Sequence, residues 1–169
     1  MTPLSTCSEP AQVIDRTTYF SKTTAFYLLA SITVSFLAAS SALTPLYALY
    51  QVQWGFSAIT GTFIFAIYAI TVLLALLFAG RLSDHLGRRP VLLVALVVQA
   101  ATMALFAAAG GVGDLVVARI IQGLATGAAV GAVGAGMVDL NKERGVTANA
   151  VTPALGTATG GMLAGLLVQ

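Results

Sequence analysis

Between Thr23 and Gly80 this chain carries no Asp, Glu, Lys or Arg. No water-soluble surface can be built from 58 consecutive uncharged residues that are mostly Leu, Ala, Ile, Phe and Thr. A soluble domain has about a quarter of its residues charged, whereas here 8% are charged and 58% are hydrophobic. About 20 apolar residues cross a bilayer core as a helix. Five runs meet that length, at about 24–50, 58–80, 91–109, 115–138 and 146–168. The expected fold is therefore an all-α membrane protein of five transmembrane helices. A polar tail, residues 1–23, precedes the transmembrane part, residues 24–169; it contains Pro3 and Pro10 and no apolar periodicity, so it reads as disordered or loosely held.

The small-residue run Ser40-Ser41-Ala42 also resembles a signal-peptide cleavage site. The apolar run continues past it through Leu43–Tyr50, which favours a retained first span. Cys7 is the only cysteine and His85 the only histidine, so one copy of the chain has no internal disulfide and no His/Cys metal cluster. No P-loop lysine, G-x-S-x-G elbow, HExxH or paired catalytic carboxylates occur, and an enzyme is not expected. No cofactor, metal or nucleic-acid partner is expected either.

Seven of the eight basic residues fall on one side of this helical pattern: Arg16, Lys22, Arg81, Arg88, Arg89, Lys142 and Arg144. The opposite connectors, Gln51–Ser57 and Gly110–Gly113, hold none. Basic loops stay in the cytoplasm, so the N-terminus is expected there, in a plasma (inner) membrane. Asp114 is the expected N-cap of span four, and Pro90 suits the first turn of span three, where a missing N–H costs nothing.

The eighth basic residue, Arg119, lies inside span four, about 7 Å below its outer end at 1.5 Å per residue. A buried arginine costs roughly 2.5–3.5 kcal/mol on insertion scales. One reading is a guanidinium that snorkels to the surface. The other is a functional group, favoured because Gln122 and Thr126 follow at i+3 and i+7 on the same face. Gly123, Gly127 and Gly131 form a flanking stripe of small residues, suited to close helix packing. Span five carries a similar face, Asn149, Pro153, Gly156 and Gly160, with Gly161 beside it. Its threonines, Thr152, Thr157 and Thr159, could satisfy carbonyls that the proline frees. Plain close packing and a substrate-lining role both fit that face. Arg119, Gln122 and Asn149 are the candidate cavity or coupling residues. Span three, aliphatic apart from Gln99 and Thr102, is expected to support from the periphery.

The charged segment between spans two and three reads Gly80-x-x-x-Asp84-x-x-Gly87-Arg88-Arg89, and span four reads Arg119-x-x-Gln122-Gly123. Together these resemble two motifs of the major facilitator superfamily, at the expected helices. That resemblance implies twelve helices in two six-helix halves, of which this chain would hold most of the first, and a truncated product or fragment. It implies alternating access by rocking one half against the other. It also implies that Gly80, Asp84, Gly87, Arg88 and Arg89 form a conformational switch. Asp84 would face a helix N-terminus of the second half, and Arg88 would pair with acids near the cytoplasmic helix ends. Asp139, Glu143 and Arg144 are the candidate gate charges.

Gly156-Thr157-x-x-Gly160-Gly161 resembles an antiporter motif of the same family, with Thr157 in place of proline. Pro45-Leu46-Tyr47-Ala48 resembles part of a drug-exporter motif. Proton-coupled efflux of drug-like or metabolite substrates is the implied direction, with uptake as the alternative. The implied partners are the lipid bilayer, a small-molecule substrate, protons and a C-terminal half. Other classes remain open: a non-transporting scaffold or partner subunit, and a non-functional truncated remnant. The charge asymmetry predicts that a reporter fused at residue 85 reads as cytoplasmic and one fused at residue 112 as external. The opposite pattern would overturn the orientation.

Overall fold

The computed structural model describes the backbone of residues 21–168, and side chains over that range except at 46, 48–49, 79–86 and 168. Five helices fill it: α1 (Lys22–Trp54), α2 (Ala58–Leu86), α3 (Arg88–Ala107), α4 (Val112–Leu140) and α5 (Lys142–Val168). Each is long and apolar enough to cross a membrane. Of the expected polar tail, residues 1–20 lie outside the described ones, while Lys22 and Thr23 at its end already belong to α1.

The helices run further than the apolar spans, because helix is set by local hydrogen bonding and continues past the hydrocarbon boundary. α2 extends through the charged segment to Leu86, and α3 begins at Arg88. The connection between spans two and three is thus one residue, Gly87, at φ +84°. Only glycine takes that conformation without cost. Pro90 lies in the first turn of α3, where its missing N–H has no intrahelical partner to lose. The α4–α5 connection is as short. Asn141 closes α4 by donating its N–H to the Met137 carbonyl at 3.1 Å, and its side-chain oxygen accepts the Arg144 N–H at 3.0 Å to cap α5. α1 ends at Gly55, which has left-handed φ +65° and donates to the Gln51 carbonyl.

Asp114 is not the N-cap of α4. Gly111 holds that position in extended backbone, and the helix starts three residues earlier than the side-chain pattern indicated. The Asp114 carboxylate instead reaches back to accept the Gly110 N–H at 2.9 Å. Its negative charge still faces the positive end of the helix.

α4 is the hub. It packs against α1, α2, α3 and α5, whereas α1 and α2 scarcely meet. Small residues set the separations. At Gly127 an added Cβ would lie 2.6 Å from the Val72 carbonyl and 2.5 Å from Ala75, and at Gly123 it would meet Thr71 and the Tyr68 carbonyl. Gly131, one turn on, is half-buried. The α5 stripe works in the same way against α1: a Cβ at Gly156 would sit 2.8 Å from the Val34 carbonyl, and one at Gly160 would collide with the Ala38 carbonyl. Ser41 of α1 then donates to the Thr157 carbonyl at 2.9 Å. Of the two readings of the α5 face, Gly156 and Gly160 serve close packing.

The α5 threonines do not rescue the carbonyl that Pro153 frees, which belongs to Asn149 four residues back. Thr152 donates to Ala148, Thr157 to Pro153 and Ala154, and Thr159 to Leu155 and Gly156. A side chain bonding within its own turn reaches i−3 or i−4; Thr152 stands three residues after Asn149 but takes the i−4 carbonyl of Ala148 at 2.8 Å.

These contacts separate two glycines of similar sequence context. Gly127→Ala is expected to destabilise the bundle by about 1–3 kcal/mol through overpacking. Gly161→Ala, with nothing within 4 Å of its Cβ, should stay within about 0.5 kcal/mol. Denaturant unfolding in bicelles measures both, and equal effects would refute this account of the α2–α4 contact.

Candidate functional site

Two polar groups stand out on this scaffold, one inside the bundle and one at the α2–α3 end. The inner one is centred on Arg119, which is 0% exposed. α4 presents it inward because Ala118, Gln122, Ala125, Thr126 and Ala129 share its buried face. Its Nη1 donates to Gln122 Oε1 at 2.7 Å and to the Ser40 carbonyl of α1 at 3.2 Å. Its Nε donates to the Tyr47 hydroxyl oxygen. Three rings surround the guanidinium carbon: Tyr47 of α1 and Tyr68 of α2 at 5.1 Å, and Phe106 of α3 at 5.5 Å.

One side chain of α4 is thus held by α1, α2 and α3 together. Each desolvated cation–π contact contributes about 2 kcal/mol at best, and hydrogen bonds to a charged group about 1.5–3 kcal/mol. Set against an insertion cost of roughly 2.5–3.5 kcal/mol, the cage makes burial favourable. The guanidinium therefore points into the bundle and does not snorkel.

Gln122 is also fully buried, and its oxygen is committed to Arg119. Thr126, next on the same face, lies 3.5 Å from the Ser40 hydroxyl. Asn149 does not join this group. Its amide donates to the Gly134 carbonyl at 3.1 Å and ties α5 to α4. The rings were not anticipated as partners of Arg119. The available signal was Tyr68, the only tyrosine in span two: a buried guanidinium must find partners, and groups inside the spans have to provide them.

The second group lies where α3 starts and α4 ends. Arg88 Nη1 meets Asp139 Oδ2 at 2.5 Å. Gly136, one turn before Asp139, lies beside the pair: a Cβ there would be in ordinary contact with Arg88 Nη1 at 3.8 Å and would crowd only Leu29, at 3.2 Å. The two side chains are 35% and 63% exposed, and such a pair contributes at most about 1 kcal/mol. Arg89, Glu143 and Arg144 are exposed, and among the described residues Arg88 pairs with Asp139 and not with Glu143. The Asp84 side chain and the surroundings of Gly80 lie outside what the structure describes.

With this geometry in place, the chain was compared with known proteins. The model of the Major Facilitator Superfamily matches residues 28–169. The chain belongs to that family. Comparison with curated proteins and with solved structures gives no match. Membership, together with five membrane-length helices, makes it a multi-pass membrane protein of a transporter family, and not one of an enzyme family.

The cage assigns a measurable weight to one hydroxyl. Tyr47→Phe keeps the ring over Arg119 and removes the acceptor of its Nε, so it should cost about 1–3 kcal/mol. Tyr50→Phe, which keeps the stacking on Trp54, should change stability by less than about 0.5 kcal/mol. Chemical unfolding in bicelles compares them; equal stabilities would mean that the Tyr47 hydroxyl does not hold Arg119.

Proposed function

We propose that the protein carries out secondary active transport of a small solute by alternating access, with its N-terminus in the cytoplasm of a plasma (inner) membrane. The supporting observation is the Arg88–Asp139 pair at the one-residue α2–α3 turn, in a chain of this family. A half-exposed ion pair of about 1 kcal/mol or less is too weak to be a stability element. It is well suited to be made in one conformation and released in another, since a small differential contact shifts a two-state equilibrium.

In this reading Gly87 supplies the turn, Arg88 and Asp139 the latch, and Asp84 the contact to a helix N-terminus of a second six-helix half. Gly80 and Arg89 belong to the same switch, with Glu143 and Arg144 as neighbouring charges. Arg119 and Gln122 shape the binding or coupling region. Proton-coupled efflux of drug-like or metabolite solutes is the proposed direction, resting on the partial matches at Gly156–Gly161 and Pro45–Ala48.

Solute flux in vesicles or cells containing the protein tests the switch. Asp84→Asn and Asp139→Asn should each lower the transport rate several-fold while leaving membrane insertion unchanged. Exchanging the pair, as Arg88→Asp with Asp139→Arg, should restore part of the rate lost in the single variants. Wild-type flux in both Asn variants would eliminate the latch.

A further inference from the structure

Within the five spans Arg119 is the only charged residue, and no acid lies among its described neighbours. Its Nη1 and Nε are engaged, but its Nη2 is buried without a partner, and so is Gln122 Nε2. The orientation of that amide is decided by chemistry. A guanidinium can only donate, so Gln122 must turn its oxygen to Arg119 and its NH₂ away.

A third buried amide is in the same state. Gln99 of α3 is 7% exposed, and neither its Nε2 nor its Oε1 has a partner. The antiparallel α3–α4 register brings it level with the other two. Phe106 clusters with Leu115 and Ala118 at one end, and Ala95 clusters with Ala125 and Ala129 further along. Gln99 and Thr102 fall between them, opposite Gln122 and Arg119.

The imbalance has a sign. Three nitrogens with two hydrogens each offer six N–H donors against one free oxygen, and the group carries an uncancelled positive charge. Buried charges are paired, and buried donors bonded, or the fold bears the cost. What is wanted is an acceptor that carries a negative charge. Its shape is constrained as well. A carboxylate binds arginine best through two parallel N–H bonds, and here Nη1 and Nε are already taken. One Nη2 edge and two amides suit a spherical acceptor that takes single bonds from several directions.

The geometry points to a small monovalent anion site, of halide type, formed by Arg119, Gln122 and Gln99 between α3 and α4. The ion neutralises the only charge within the spans and gives the orphaned donors their acceptor. Arg119 lies seven residues from the start of α4, about 10 Å along the helix. The buried side chains of Leu115, Phe106 and Tyr47 pack between it and that end. The site does not depend on the proposed transport reading, because it is defined by binding alone.

The test uses the whole chain in lipid nanodiscs, melted in sodium bromide or sodium gluconate at constant ionic strength. Bromide should raise the melting temperature saturably. Gln99→Met, which keeps length and apolar bulk, should raise the half-saturating bromide concentration about tenfold, the equivalent of one lost hydrogen bond to a charged group. Gln99→Glu supplies the negative charge from the chain itself. It should melt in gluconate at or above the wild type in gluconate and no longer respond to bromide. A wild type indifferent to bromide overturns the site. So does a Gln99→Glu variant that is destabilised, as an ordinary buried amide would predict, or one that responds to bromide as the wild type does.

Discussion

A charge placed where water cannot follow must be answered by the protein around it. Arg119 imposes that requirement on the half of the bundle where α4 begins. Its answer comes from three other helices: a phenol and a carbonyl from α1, a ring from α2 and a ring from α3. Lipid offers no hydrophobic drive between helices, so a polar centre that every neighbour must contact helps to select one arrangement among several of similar packing quality. The glycines complete this from α4 outward, because Gly123 and Gly127 let α2 approach closely enough for Tyr68 to reach the guanidinium.

The two polar groups differ in energetic character, and that difference suits different tasks. The Arg119 cage is dry, multiply bonded and shared among four helices. The Arg88–Asp139 pair is half-exposed and single. The first resists rearrangement within the bundle. The second can open without large loss, as a contact between moving parts must. A transporter that rocks as rigid bodies needs both kinds of contact.

How much of this could be read from residues alone varied with the kind of feature. Arg119 and Gln122 were recognisable because a charge in an apolar span is costly wherever it sits. Arg88 and its candidate partner Asp139 were recognisable from the charged segments, although Glu143 appeared equally eligible. Helix ends were less legible: Asp114 looked like a cap, yet the chain placed Gly111 there, because backbone conformation and not side-chain type decides where the first turn closes. The rings around Arg119 and the position of Gln99 were not legible. Phe106 looks like an ordinary member of an apolar helix, and Gln99 stands out only as a polar exception; what either faces is not known until the register of α3 against α4 is.

Charge distribution and hydrophobic length by themselves settled that this chain is helical, that it has five membrane-length segments and that one of them contains a cation. Those follow from the cost of exposing peptide groups and charges to hydrocarbon, which is a local property of each segment. Which helix lies beside which, which face of α4 meets α1, α2, α3 or α5, and which rings close over the guanidinium were decided only in three dimensions. Lateral order arises from close approach between small residues on different helices, and hydropathy along a single chain carries no record of that approach.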